Sequence, residues 1–144
     1  MRNPNKLALG NPNFTNQDFF VYSPAAVFAI AGGATSTQTI QIESDAEFLC
    51  TKLAYFVDIA LAIQTDSTRV IPLLTLQITD GGSSRNLFSS PQPLSSVAGE
   101  GDKPFMLPVP RVFRSNSTIT LSFTNFSAAT AYNVRFSMIG IKRW

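Results

Sequence analysis

The sequence predicts an all-β fold: two antiparallel sheets packed as a sandwich, jelly-roll-like, with about eight strands. Three observations lead there. Segments that alternate apolar and polar residues recur along the chain, with turn signals roughly every 8 to 14 residues. Almost no stretch carries the 3.6-residue period of an amphipathic helix. The polar positions are filled by hydroxyls and amides, 15 Ser, 13 Thr, 9 Asn and 6 Gln, which suit an exposed face that must stay both extended and wet. An immunoglobulin-like arrangement is the alternative sandwich.

Residues 1–16, MRNPNKLALGNPNFTN, stand apart. Five Asn and two Pro, with NPN occurring twice, favour turns and remove ladder donors. Two readings stand side by side: a frayed terminus, or an extended arm that orders on a neighbouring subunit through Leu7, Leu9 and Phe14. Residues 17–144 then form a single β-sandwich domain. QDFFVYSPAAVFAI reads as one strand bent or broken at Pro24, followed by a turn at AGGATS. TQTIQIES places Ile40 and Ile42 on one face and Thr39, Gln41 and Glu43 on the other.

EFLCTKLAYFVDIALAI is apolar almost throughout, which fits a buried strand or a helix; its Phe, Tyr and Val favour a strand over Glu47 to Ile59. VIPLLTLQITDGGSSRNLF is a strand that ends on a DGG hairpin signal and returns from Arg85 to Phe88. SSPQPLSSVAGEGDKP is a loop long enough to have a task or to pack on something. In FMLPVPRVF, Pro108 and Pro110 confine the segment to an edge. STITLSFTN and YNVRFSMIGIKRW are the clearest strands. Ile119, Leu121 and Phe123 share one face of the first, and Tyr132, Val134, Phe136 and Met138 one face of the second. The short FSAATA between them predicts an antiparallel pair. Twelve Phe in a chain of 144 residues predict a core that holds most of them.

Charge narrows the function. Charged residues are 14% of the chain against about 25% in an average soluble domain, so a surface laid against other protein would desolvate few ions. A net charge of +2 gives no clustered cations for phosphate neutralisation, and nucleic acid is not an expected partner. No stretch has the apolar core of an export signal or the ~20 residues of a membrane span; AAVFAIAGGA is too short, and no membrane partner is expected. Cys50, the single cysteine, lies in an apolar run and reads as a small buried hydrophobe. Together these predict a soluble protein made in a reducing cytoplasm.

The absence of histidine removes the commonest general base and metal ligand, and with it Ser-His-Asp, Cys-His and most zinc chemistry. The chain is expected not to be an enzyme and to need no cofactor or metal. Glu43, Asp45 and Glu47 could in principle supply carboxylates to a glycosidase pair or a calcium site, but a solvated strand end is the plainer account. TDGGSSRN, Thr79 to Asn86, lacks the lysine and helix of a phosphate loop and reads as a hairpin turn. Arg111, Arg114, Arg135, Lys142 and Arg143 are either scattered surface cations or a docking set for acidic protein surface. A Trp at position 144 needs cover, from a partner or from the chain's own sandwich.

AEFLCTKLAYFVDIALAIQTDSTRVIPLLTLQITDGGSSRNLF and PFMLPVPRVFRSNSTITLSFTNFSAATAYNVRFSMIGIKRW together resemble small proteins of tailed bacteriophages that act as capsid cement or decoration proteins. The resemblance spans about Gln17 to Trp144. It is carried by Asp45 to Leu49, Gln64 to Val70 and Leu107 to Leu121, which are phrases of sequence and not chemical motifs. Cys50 stands where the family has an aromatic, a departure that concerns core packing.

The resemblance implies a jelly-roll-like protein on the outer capsid surface of a virion, bridging major capsid protein subunits and pairing with itself as a homodimer or a trimer. On that reading Leu7, Leu9 and Phe14 dock the arm, and Arg111, Arg114, Arg143 and Trp144 contact the capsid or a sister subunit. The alternatives are a head-fibre, tail-associated or neck adaptor protein, or a receptor- or carbohydrate-binding module.

Overall fold

A computed structural model describes residues 16–59 and 70–144. Eleven strands occur among the described residues: β1 (Gln17–Tyr22), β2 (Phe28–Ile30), β3 (Thr35–Gln41), β4 (Glu47–Ile59), β5 (Leu74–Asp80), β6 (Arg85–Asn86), β7 (Gln92–Pro93), β8 (Gly99–Glu100), β9 (Phe105–Phe113), β10 (Thr118–Asn125) and β11 (Tyr132–Arg143). One short helix, α1 (Leu94–Val97), lies between β7 and β8. The first sheet runs β1-β11-β4-β8, with β2 also on β11 and β9 also on β4; the second runs β3-β10-β5-β6, with β7 also on β5.

The pairing follows one rule. β1 pairs with β11, β3 with β10, β4 with β9, and β5 with β6 and β7, all antiparallel. The chain is thus a long hairpin, its tip between Asp80 and Arg85, wound over so that alternate pairs fall in opposite sheets. That winding is jelly-roll-like. The count exceeds the expected eight because Pro24 divides one strand position into β1 and β2. Another is divided into β6 and β7, and β8 forms in the stretch expected to be loop. That stretch also packs: Leu94 is fully buried.

Burial explains why these segments are strands. β5 and β10 alternate buried and half-buried positions without a break, the period of a pleated strand with one face on a core. The residues of β4 expected to form a strand do so with the same limits. A bulge interrupts it: Ile139 pairs with Lys52 but Gly140 with Cys50, leaving Thr51 extra, and its hydroxyl donates to the Ile139 carbonyl at 3.2 Å. Gly140 is required there, since a Cβ would stand 1.9 Å from the Leu49 carbonyl oxygen. On the other side of β4 the register also jumps, from Cys50↔Arg111 to Lys52↔Met106. The intervening residues 107–110 contain Pro108 and Pro110, which have no N–H to donate, and β9 is an edge strand as expected.

Two expectations are corrected. β10 and β11 do not pair; they lie in opposite sheets, because each must bury its own apolar face and a shared sheet would leave one core without its second wall. Asn125, fully buried, fixes the crossover: its Nδ2 donates to the carbonyls of Ile30 (3.2 Å) and Thr130 (2.7 Å), and its Oδ1 accepts from the Ser127 N–H (2.9 Å). Nor are most of the described phenylalanines fully buried, since Phe20, Phe28 and Phe88 only flank the core. Phe48, Phe113, Phe123 and Phe136 are buried, whereas Phe19, Phe56, Phe105 and Phe126 are exposed.

Phe123→Ala should lower stability by about 3–5 kcal/mol in urea unfolding, since it empties the middle of the core. Phe19→Ala should change it by less than about 0.5 kcal/mol. Equal losses would mean that Phe19 packs as a core residue.

Candidate functional site

The two sheets turn different surfaces outward. On the second sheet every outward position of β3, β5 and β10 is Thr, Ser or Gln. Neighbours on this face hydrogen-bond across strands, Thr35 with Thr124 at 3.0 Å and Thr118 donating to Gln41 Oε1 at 2.8 Å. The first sheet carries an apolar patch on its outer face, bounded along β11 by Ser137, Arg135 and Asn133 on one side and by Arg143 on the other. Register places Phe19, Ile141, Leu49 and Val112 in one row across β1, β11, β4 and β9, and Val21, Ile139, Lys52 and Met106 in the next. Paired residues project to the same side of a sheet. Phe19 is 75% exposed and Met106 66%.

A contiguous apolar face spanning four strands is what distinguishes a contact surface from scattered exposed residues. Strand geometry gives its scale: four strands are roughly 19 Å across and two outward rows roughly 14 Å along the strands. The product is about 270 Å², the size of an interface's apolar centre within one partner's share of about 800 Å².

The charged residues gather at one end of the sandwich, where ion pairs clasp the sheets. Lys142, at the end of β11, bonds Glu43, just past β3 in the other sheet, and lies 3.4 Å from Asp45. Its Nζ also sits 4.7 Å from the Phe20 ring centre. The hydrogen bond to Glu43 raises its pKa above the ordinary 10.5 against the opposing pull of burial, with Asp45 adding to the rise. Arg143 pairs with Glu47 directly across the ladder at 2.6 Å. The ESDAE carboxylates therefore meet the basic strand end. The sequence places them apart by about a hundred positions and gives no sign of the match.

At the opposite edge Arg111 Nη2 donates to Asp80 Oδ2 and to Ser83 Oγ, both at 3.1 Å, tying β9 to the hairpin tip of the other sheet. Burial alone would raise the Asp80 carboxyl, but hydrogen bonds from Ser83, Arg111 and the Gly82 N–H outweigh it and hold the pKa below its usual 3.8.

The residues proposed from sequence fall as follows. Arg111 and Arg114 line a cavity of about 390 Å³; Arg143 and Trp144 line an adjacent one of about 210 Å³ across the β9–β10 turn. Trp144 extends the ladder, its N–H and carbonyl bonded to Asn16, and remains 42% exposed. Arg143 is buried by its pairing. Leu7, Leu9 and Phe14 lie outside the described residues. The apolar face escaped the sequence reading, although a signal exists: Met138, Ile139 and Ile141 occupy both parities of β11, the mark of a strand apolar on both faces. Among the described residues no group of three or more His, Cys, Asp or Glu could hold a metal ion, and no helix is long and apolar enough to cross a membrane.

No protein-family model matches the chain, and no curated protein matches it.

The folded-state pKa of Asp80 is depressed, so its stabilisation is complete above the unfolded value and lost as pH falls through the folded one. Asp80→Asn should therefore flatten the acid limb of a stability–pH profile below about pH 4; an unchanged limb contradicts the pairing. Burial pushes the Cys50 thiol up to about 12, so native protein should resist iodoacetamide and react only on unfolding. Rapid native alkylation would show that the bulge opens.

Proposed function

We propose that this chain is a structural virion protein, a capsid cement or decoration protein that lies on the outer surface of a phage head and bridges major capsid protein subunits. The observation that carries the reading is the asymmetry of the sandwich: one outer face holds an apolar patch across four strands with Phe19 and Met106 exposed, the other is a neutral wall of hydroxyls and amides. The first face supplies adhesion through buried apolar area. The second stays hydrated without the charge that would repel like copies across a lattice. The sequence resemblance supports the same role and supplies the identity of the shell.

A protein that acts by adhesion in a repeating lattice gains from multivalency. Each copy bridges neighbours, so the second contact forms at high effective concentration and modest interfaces add up to a reinforced shell. The ion-pair clasps and the Asn125 crossover keep the slab rigid, which limits the ordering cost of docking. Pairing of copies as a homodimer or trimer and anchoring by the arm residues Leu7, Leu9 and Phe14 belong to the same proposal.

Phe19→Asp/Met106→Asp should leave the melting temperature within a few degrees of the parent, both side chains being exposed, and abolish attachment to purified shells in co-sedimentation. Quantitative mass spectrometry of particles should find the parent protein in proportion to the major capsid subunit. A copy number fitting a single vertex ring, or undiminished attachment of the double variant, would sink this reading.

A further inference from the structure

We propose that the cavity at the hairpin tip, lined by Arg85, Arg111 and Arg114, receives a carboxylate side chain of a partner protein. The inference rests on the reading of the first sheet as a protein contact and names the chemistry of that contact's polar margin. The cavity of about 390 Å³ is walled by Asp80, Ser83, Arg85, Arg111, Val112 and Arg114, three guanidiniums against one carboxylate.

That carboxylate is already committed. Asp80 Oδ1 accepts the Gly82 N–H at 2.9 Å, and Oδ2 accepts Ser83 Oγ at 2.8 Å and Arg111 at 3.1 Å. Arg111 spends Nη2 on Asp80 and Ser83, while its Nε is buried and has no hydrogen-bond partner. Arg85 and Arg114 are exposed and form no ion pair among the described residues. The site therefore holds two uncommitted positive charges, Arg85 and Arg114.

The tip is also held in place. Arg85 sits in the ladder opposite Asp80, the Thr79 hydroxyl bonds Asn86 Oδ1 at 2.8 Å, and Ser84 takes a positive φ of 55° to close the turn. Guanidiniums fixed in this way match the planar fork of a carboxylate.

Position selects a protein carboxylate over a nucleic-acid phosphate. Val112, one wall of the cavity, is also the last member of the apolar row that begins at Phe19. A partner crossing this margin presents an acidic residue beside apolar ones. A phosphate backbone instead asks for a continued track of cations, and Lys142 and Arg143, at the same end of the sandwich, are bound to Glu43 and Glu47.

The test is an NMR titration of the full chain that follows arginine Nε–Hε signals, with a blocked hexaglutamate peptide as one probe and inorganic phosphate as the other. The peptide should shift the signals of Arg85, Arg111 and Arg114 saturably. Arg85→Gln/Arg114→Gln, at exposed positions, should weaken it roughly tenfold with an unchanged melting temperature. Phosphate at equal concentration should produce the smaller effect. The proposal is overturned by an absent or non-saturating response, by phosphate binding as tightly as the peptide, or by a double variant that binds the peptide like the parent. The Phe19→Asp/Met106→Asp variant separates this failure from failure of the apolar contact, since both positions are exposed and outside the cavity and it should bind the peptide normally.

Discussion

Phe123 is the point at which the two sheets meet. Its ring, from β10, lies 5.8 Å from Phe136 of β11 and 5.1 Å from Phe28 of β2, so one side chain of the second sheet packs against two strands of the first. Edge-to-face and tilted contacts of this kind add to the apolar area they bury. They also require that β10 and β11, neighbours in sequence, lie in opposite sheets. Once that is imposed, the path of the chain follows. A wound hairpin is the arrangement that lets each long strand keep an antiparallel partner while its inward face reaches across to the other sheet.

The winding leaves two open edges, and the charged residues close them. Lys142 with Glu43 and Asp45 spans one, Arg111 with Asp80 the other. Each pair joins a buried side chain, Lys142 or Asp80, to a more exposed partner, so solvent screens the charge contact and the hydrogen bonds carry much of the tie. The pairs oppose each other in pH as well. The raised Lys142 contributes below its ordinary range and is lost as pH climbs through the folded value; the depressed Asp80 contributes above its range and is lost in acid. Stability is therefore broad across neutral pH, where an adhesive sandwich would have to work.

Much of the fold was legible because period two is an unambiguous signal. Ile40 and Ile42, the inward residues of β10 and β11, the break at Pro24 and the DGG hairpin all follow from alternation and turn chemistry, and the limits of β4 from its aromatic and β-branched residues. What was not legible depends on contacts distant in sequence. Nothing local distinguishes a hairpin connection from a crossover at FSAATA; the difference lies in Asn125 reaching Ile30. The exposed phenylalanines were assigned to the core because hydrophobicity says that a side chain seeks cover, not whether its own chain provides it. Of the candidate site, the basic residues were named, yet their engagement with Glu43, Glu47 and Asp80 and the addition of Arg85 required the folded molecule.

On the proposed role, the apolar patch of the first sheet is the surface that touches the shell. Hydroxyl-radical footprinting of free and particle-bound protein, read by peptide mass spectrometry, measures this most directly. Phe19 and Met106 should oxidise readily in the free protein and be protected on particles, while Phe126, at the turn after β10, should oxidise alike in both. Protection confined to residues away from the first sheet, with Phe19 and Met106 equally reactive in both states, would contradict it.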